Sequence, residues 1–236
     1  MTILDRCKNK VYKLAHPEWG RVLMLHRVTD QRSQGENREL EITPDFLEQS
    51  IKDYKNKGYR FVSIADVCDI VEKGRRGKPF VCLTFDDGYH DNYTVALPIL
   101  KQENVPFAVY VTTGFVDNKL DMWWYTNAQL GLSGDELQSL ANEPLCTIGV
   151  HTVSHPRLDK LSAEEQRLEI KQSKEELESL LGCQLQHFSY PHGAFNDETL
   201  GIVREFGFRS SLLTWGGPIR HKCDLLQLPR MELRQP

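Results

Sequence analysis

The stretch PFVCLTFDDG, Pro79 to Gly88, decides the architecture. Its first seven residues are apolar nearly throughout, as in a strand covered on both faces, and such strands belong to parallel sheets flanked by helices. Two adjacent carboxylates, Asp86 and Asp87, follow where the strand emerges, and Gly88 permits a sharp exit. Asp-Gly is a common turn dipeptide. A pair of neighbouring carboxylates at the end of a buried strand is also costly unless a cation or a proton compensates it. Both meanings stay open on this stretch alone.

On either side of it, short β-rich runs alternate with helical patterns. Strands are expected over 21–27, 59–64, 79–85, 107–113, 147–151, 187–191, 208–213 and 225–228. Thr43-Pro44 starts a helix that Gly58 ends, and a short helix spans 65–73. Ser133 with Glu136, and Ser162 with Glu165, have capping-box spacing and mark two more helix starts. Helical stretches at 92–103 and 196–206 complete the set, with Pro98 expected to kink or delay the first of them. About eight strands alternating with six helices predict an α/β fold, a parallel sheet or barrel. No repeat, low-complexity segment or linker interrupts 1–236, so one domain is expected.

Composition removes several function classes. A formal charge of -4 argues against a general nucleic-acid binder, and the basic run Lys73-Gly74-Arg75-Arg76 is short enough for a solvated loop. The cysteines at 7, 68, 82, 146, 183 and 223 form no CxxC, and Cys68 and Cys82 sit in apolar patterns as small core residues. The N-terminal stretch MTILDRCKNKVYKLAH has Asp5, Arg6 and Lys8 where a signal peptide needs an unbroken apolar run. No segment approaches the ~18 apolar residues of a membrane span. The expectation is a cytoplasmic protein with reduced thiols and no transmembrane segment; contact with a membrane-borne substrate is compatible with it.

A second constellation is His151-Thr152-Val153-Ser154-His155, again at a strand end. On a helical turn this spacing puts two imidazoles on one side, where both reach one ion, whereas Pro156 favours a tight loop. Two satisfied or exposed histidines are the alternative. Strand ends on the same side of a parallel sheet or barrel converge on one face. Asp87, His151 and His155 would there form a two-His, one-carboxylate set with open positions for water and substrate. Asp86 is then free to act as general base.

On these residues the chain resembles the polysaccharide deacetylase family, also called the NodB-homology or carbohydrate esterase family 4 group. TFDDG stands at Thr84 to Gly88, H-[ST]-x-x-H at His151 to His155, and the third motif at Phe188-Ser189-Tyr190-Pro191-His192-Gly193. The segments ALPILKQENVPFAVYVT and LPRMEL are also similar, so the likeness runs from about His26 to Leu233. It implies a distorted (β/α) barrel of about seven strands and one divalent metal ion, most often zinc, held by Asp87, His151 and His155. It also implies Asp86 as base and a backbone N–H near His192 for the oxyanion. The reaction implied is hydrolysis of an N-acetyl group on an amino sugar in a poly-, oligo-, lipid- or nucleotide-linked saccharide.

Two departures accompany the likeness. Many members carry an Arg and a Tyr in the third motif where Ser189 and His192 stand here, and Arg230 is the replacement expected to orient the base. The usual late Leu-x-His is absent, but the N-terminal strand offers Leu23-Met24-Leu25-His26, similar to circularly permuted members with this histidine ahead of the first motif, which makes His26 the general-acid candidate. Trp123 and Trp124, within Met122 to Tyr125, are expected to line the substrate groove or to anchor a satellite core. Tyr89 and His90 could also face it. A non-catalytic carbohydrate-binding protein, or a deacylase acting on formyl or O-acetyl groups, are the other readings. Oligomeric state is not encoded in any motif.

Overall fold

The computed structural model describes residues 18–74, 77–125 and 130–236. The N-terminal stretch 1–16 with Cys7, and Arg75 and Arg76 of the basic run, lie outside them. In chain order the strands begin with β1 (Gly20–Leu25), the short pair β2 (Arg27–Val28) and β3 (Glu41–Ile42), and β4 (Arg60–Phe61). There follow β5 (Phe80–Phe85), β6 (Phe107–Val111), β7 (Cys146–Val150), β8 (His187–Ser189), β9 (Ser210–Gly216) and β10 (Leu228–Glu232). These strands pair with one another in parallel, and β1 pairs with both β5 and β10. The strands β1, β5, β6, β7, β8, β9 and β10 therefore close a seven-stranded barrel, with β4 added outside on β5. This is the expected (β/α) barrel.

The helices are α1 (Pro44–Asn56), α2 (Ile64–Lys73), α3 (Leu97–Gln102), α4 (Gly134–Ala141), α5 (Ala163–Leu181) and α6 (Asp197–Glu205). Both expected capping boxes are present at Ser133 and Ser162, and Thr43 caps α1 through Phe46 N–H. The expected strand at 59–64 shrinks to β4 because Ser63 is spent as the cap of α2. Pro98 does not kink a long helix. A wide π-type turn over Asn92–Ala96 precedes α3, and Pro98 sits in the first turn of that new helix, where its missing N–H costs nothing. No helix among the described residues is long and apolar enough to cross a membrane.

The period of two along each strand sorts the core into two shells. Leu23, Val81, Leu83, Phe85, Val109 and Phe188 pack with Leu47, Ile51, Ile170 and Leu177 of the surrounding helices. Val22, Phe80, Cys82, Ala108, Tyr110, Leu212 and Leu228 form a separate inner cluster, against which α2 lays Val67, Cys68 and Val71. Continuing the inner parity upward gives Thr84 and Asp86 from β5, His26 after β1, Ser189 on β8 and Arg230 on β10. The sequence thus aims its chemistry at the C-terminal mouth of the barrel, where parallel barrels carry their sites.

The inner face also holds a histidine remote from that mouth. His187 is 5% exposed and its Nδ1 lies 2.8 Å from Ser210 Oγ, a hydroxyl shared with the buried Cys68 thiol. Burial, reinforced by the Arg209 charge, pushes its pKa down from 6.5 to about 4. The unfolded chain therefore takes up a proton that the folded chain refuses. Stability contributed by neutral His187 is complete above pH 6.5 and is lost as pH falls toward 4, amounting to about 3 kcal/mol at the acid end. In urea titrations between pH 7.5 and 4.5, the midpoint of His187→Gln should fall less steeply than that of wild type; parallel curves would refute the assignment.

Candidate active site and metal centre

In a regular strand Asp86 and Asp87 would point to opposite faces. Asp87 instead adopts φ 74° and Gly88 φ 84°, which breaks the alternation and turns both carboxylates to the mouth. Thr152, His155 and His192 also have φ between 58° and 67°. Four of the seven non-glycine residues with positive φ among the described residues thus belong to this one site, and strain of roughly 1–3 kcal/mol each persists only where surrounding contacts impose it.

Those contacts are visible at the His-x-x-x-His segment. It is a loop after β7, not a helical turn, consistent with Pro156. Thr152 Oγ1 accepts from His155 N–H at 3.1 Å. Glu169 reaches over from α5 and accepts the N–H groups of Val153 and Ser154, both at 2.9 Å, and the Ser154 hydroxyl at 2.7 Å. Removing this brace should loosen both imidazoles. We expect Glu169→Ala to weaken divalent-ion affinity about tenfold, measured by competition with a chromogenic chelator.

Asp87 Oδ1 is buried without a hydrogen-bond donor and lies 3.5 Å from His151 Nε2 and 3.4 Å from His155 Nε2. One ligand atom from each of the three residues lies within 4.8 Å of the others. Burial pushes the His151 pKa down to about 4 and that of His155 down to about 3, so both rings are neutral near pH 7. His151 Nδ1 sits 2.7 Å from the Ser189 carbonyl, which makes it the protonated nitrogen and turns the Nε2 lone pair toward Asp87. Three potential ligand atoms converge, and Asp87 Oδ1 receives no hydrogen bond. The donor set fits a divalent cation.

Asp86, 2% exposed, has different company. Burial alone would raise its pKa, but the Arg230 guanidinium and the neighbouring His151 hold the carboxyl well below the usual carboxylate range. Arg230 grips it with two bonds, Nη1 to Oδ1 at 2.8 Å and Nη2 to Oδ2 at 2.6 Å. The remaining three N–H donors go to Leu213 O, Thr84 Oγ1 and Ser189 Oγ, so all five are used inside the barrel.

Residues 73–211 match the family of polysaccharide deacetylases. The chain belongs to the polysaccharide deacetylase family. The protein YxkH of Bacillus subtilis is 24% identical to it over 213 residues, covering 90% of this chain and 70% of that one. A poly-beta-1,6-N-acetyl-D-glucosamine N-deacetylase of Staphylococcus aureus is 24% identical over 189 residues, 75% of this chain, which spans 62% of that enzyme's length. Among solved structures, the Streptococcus pyogenes deacetylase PplD in complex with acetate superposes with a TM-score of 0.78 at 28% identity, covering 91% of this chain and 92% of that one.

Within the polysaccharide deacetylase frame, the third-motif departure has a structural answer. Ser189 stands where many members place Arg, and its small side chain leaves room for Arg230 to enter from β10. The Ser189 hydroxyl accepts from Arg230 and donates to Asp86 Oδ2 at 3.3 Å. His26 lies between β1 and β2, half-buried and near both Asp86 and Asp87, with its carbonyl bound by Asn92 Nδ2. His192 brings its ring to 4.5 Å from that of His155.

The two tryptophans divide. Trp124 stands 5.0 Å from His155, edge-on to Phe115, and donates its indole N–H to the buried Tyr89 hydroxyl at 2.8 Å. It is both a wall of the site and part of a satellite core with Tyr89, Phe115 and Met122. Trp123 is 71% exposed. His90 turns away and pairs with Glu136 at 2.8 Å. Sequence reasoning missed Glu169, which no motif marks on its amphipathic helix, and left Tyr89 undecided.

Proposed function

We propose that this chain hydrolyses N-acetyl groups on amino sugars of a saccharide chain, with one divalent ion held by Asp87, His151 and His155. Zinc suits two imidazoles and one carboxylate; when bound, such an ion polarises the acetyl carbonyl and lowers the pKa of water. Asp86 takes the proton of the attacking water, and Arg230 holds the carboxylate ionised and aimed. A backbone N–H at the His192 turn donates to the developing oxyanion. His26 delivers a proton to the nitrogen as the C–N bond breaks, so acetate and a free amine leave. Trp124 supplies the apolar wall beside His155.

The observation that carries this reading is the division of labour between adjacent carboxylates. Asp87 turns an unbonded Oδ1 to two neutral imidazoles, while Asp86 is held through both oxygens by an arginine. One carboxylate is built for a cation and the other for a proton. The named activity of the staphylococcal relative supports a polymer of N-acetylglucosamine as the substrate class. The test is a panel of N-acetyl, N-formyl and O-acetyl sugars, scored for released acid by the zinc-loaded protein. Release from the N-acetyl members is expected to dominate. Dominant formate release or dominant release from esters would replace the acyl group, and no release from any member would favour a binding protein that keeps the fold.

A further inference from the structure

Two adjacent side chains just beyond Gly88 reach back to the segment that carries His26. β1 keeps its ladder as far as Leu25, whose carbonyl accepts the Asp86 N–H at 2.9 Å, and pairing resumes only at Arg27, with β3. His26 belongs to neither sheet. Asn92, fully buried, closes the gap: its Nδ2 donates to the His26 carbonyl at 2.8 Å. Asp91, also buried, takes the next two residues, accepting Val28 N–H on Oδ1 at 3.1 Å and Arg27 Nε on Oδ2 at 2.8 Å. Three consecutive residues are thus pinned by two that lie more than sixty positions further along the chain.

The same side chains are anchored to the loop that carries Asp86 and Asp87. Asn92 Oδ1 accepts Tyr89 N–H at 3.2 Å, and Asn92 N–H donates to Tyr89 O at 2.9 Å, a reciprocal pair that fixes the amide against the turn after Gly88. On its other side Arg27 donates to the buried Glu41 at 3.1 Å, and its guanidinium lies over the rings of Tyr89 and Tyr125, 5.7 Å and 5.2 Å from their centroids. Base, one candidate ligand and proton donor are therefore carried by a single hydrogen-bonded unit. Its precision matters, because a reacting group has to be held within about half an ångström. A misplacement of about 1 Å can cost about a hundredfold in rate.

We infer that Asn92 and Asp91 are positioning residues for proton delivery by His26, acting through the segment 26–28. This rests on the deacetylase reading, in which the His26 imidazolium gives its proton to the nitrogen as the C–N bond breaks and the amine leaves neutral. The leaving group separates this role from support of the fold. A sugar amine or alkoxide must be protonated as it departs, whereas 4-nitrophenolate leaves 4-nitrophenyl acetate as a stable anion and needs no donor. Both substrates use the attacking water and Asp86 alike. The ratio of kcat on an N-acetylglucosamine oligomer to kcat on 4-nitrophenyl acetate therefore isolates the donor.

The ratio is measured for the zinc-loaded wild type, Asn92→Ala, Asp91→Asn, His26→Ala and the double variant of His26 and Asn92. Asn92→Ala should lower it about thirtyfold, and the milder Asp91→Asn, which keeps an acceptor for Val28 N–H and serves should Asn92→Ala fail to fold, about fivefold. Adding Asn92→Ala to His26→Ala should lower it no further, since a donor already absent cannot be misplaced. A wild-type ratio in Asn92→Ala and Asp91→Asn, both substrates slowing together, would overturn the proposal. So would losses that add in the double variant, or a ratio unchanged in His26→Ala. A wild type that cleaves O-acetyl but not N-acetyl sugars would remove the deacetylase reading alone; the same ratio taken on the sugar ester would then decide the positioning, because the alkoxide needs the proton too.

Discussion

Replacing Asp86 by Asn is expected to lower kcat for acetate release about a thousandfold while leaving the bound ion in place. Asn keeps the shape and one acceptor oxygen for Arg230, but it cannot take a proton from water. Asp86 contributes no atom to the convergent set of Asp87, His151 and His155, so ion stoichiometry should stay at one per chain. The substitution also leaves the Arg230 charge without its partner inside the barrel, so the variant should be less stable, and rates must be taken well below its unfolding temperature. Loss of the ion together with loss of rate would mean that Asp86 is a ligand and that the two aspartates have been assigned the wrong way round.

The second large effect falls on stability. Arg230 is 1% exposed, and every N–H of its guanidinium is bonded to a group of the inner shell. Arg230→Met removes the charge while roughly keeping the volume. It abandons the buried Asp86 carboxylate without its cationic partner, a loss of about 3–5 kcal/mol. Combining Arg230→Met with Asp86→Asn should recover part of that loss, because a neutral amide is far cheaper to bury than an unpaired charge. Denaturant titration of the two single variants and the double checks this; additive losses would show that the pair is not coupled.

Much of this arrangement is legible in the sequence, for reasons specific to the residues. The run from Pro79 to Phe85 reads as a doubly covered strand because both shells of the barrel require apolar side chains, and β5 is buried throughout. Ser133 and Ser162 announce helix starts because capping is local chemistry. The metal triad is legible because one aspartate and two closely spaced histidines stand at two strand ends that a parallel barrel brings to one face.

What escapes depends on register and backbone shape. A strand placed at 225–228 leaves Arg230 in a following loop, whereas β10 starts at Leu228, and the shift of two residues against β9 carries the guanidinium into the barrel. The His-x-x-x-His spacing suggests a helical turn, yet the same reach is achieved by left-handed residues at Thr152 and His155. Spacing records the distance between two side chains but not the path of the chain between them. Glu169 acts on the loop after β7 from a helix more than a dozen residues further on, and carries no local signal.

The most direct test of the central claim is acetate release from N-acetylglucosamine oligomers by protein stripped with a chelator and titrated with zinc. The account predicts no release from the stripped protein, and recovery that saturates at one ion per chain in wild type. The same titration should fail in a variant lacking His155. Undiminished release from the stripped protein would contradict it, because Asp87, His151 and His155 would then converge for some purpose other than holding the ion on which the reaction depends.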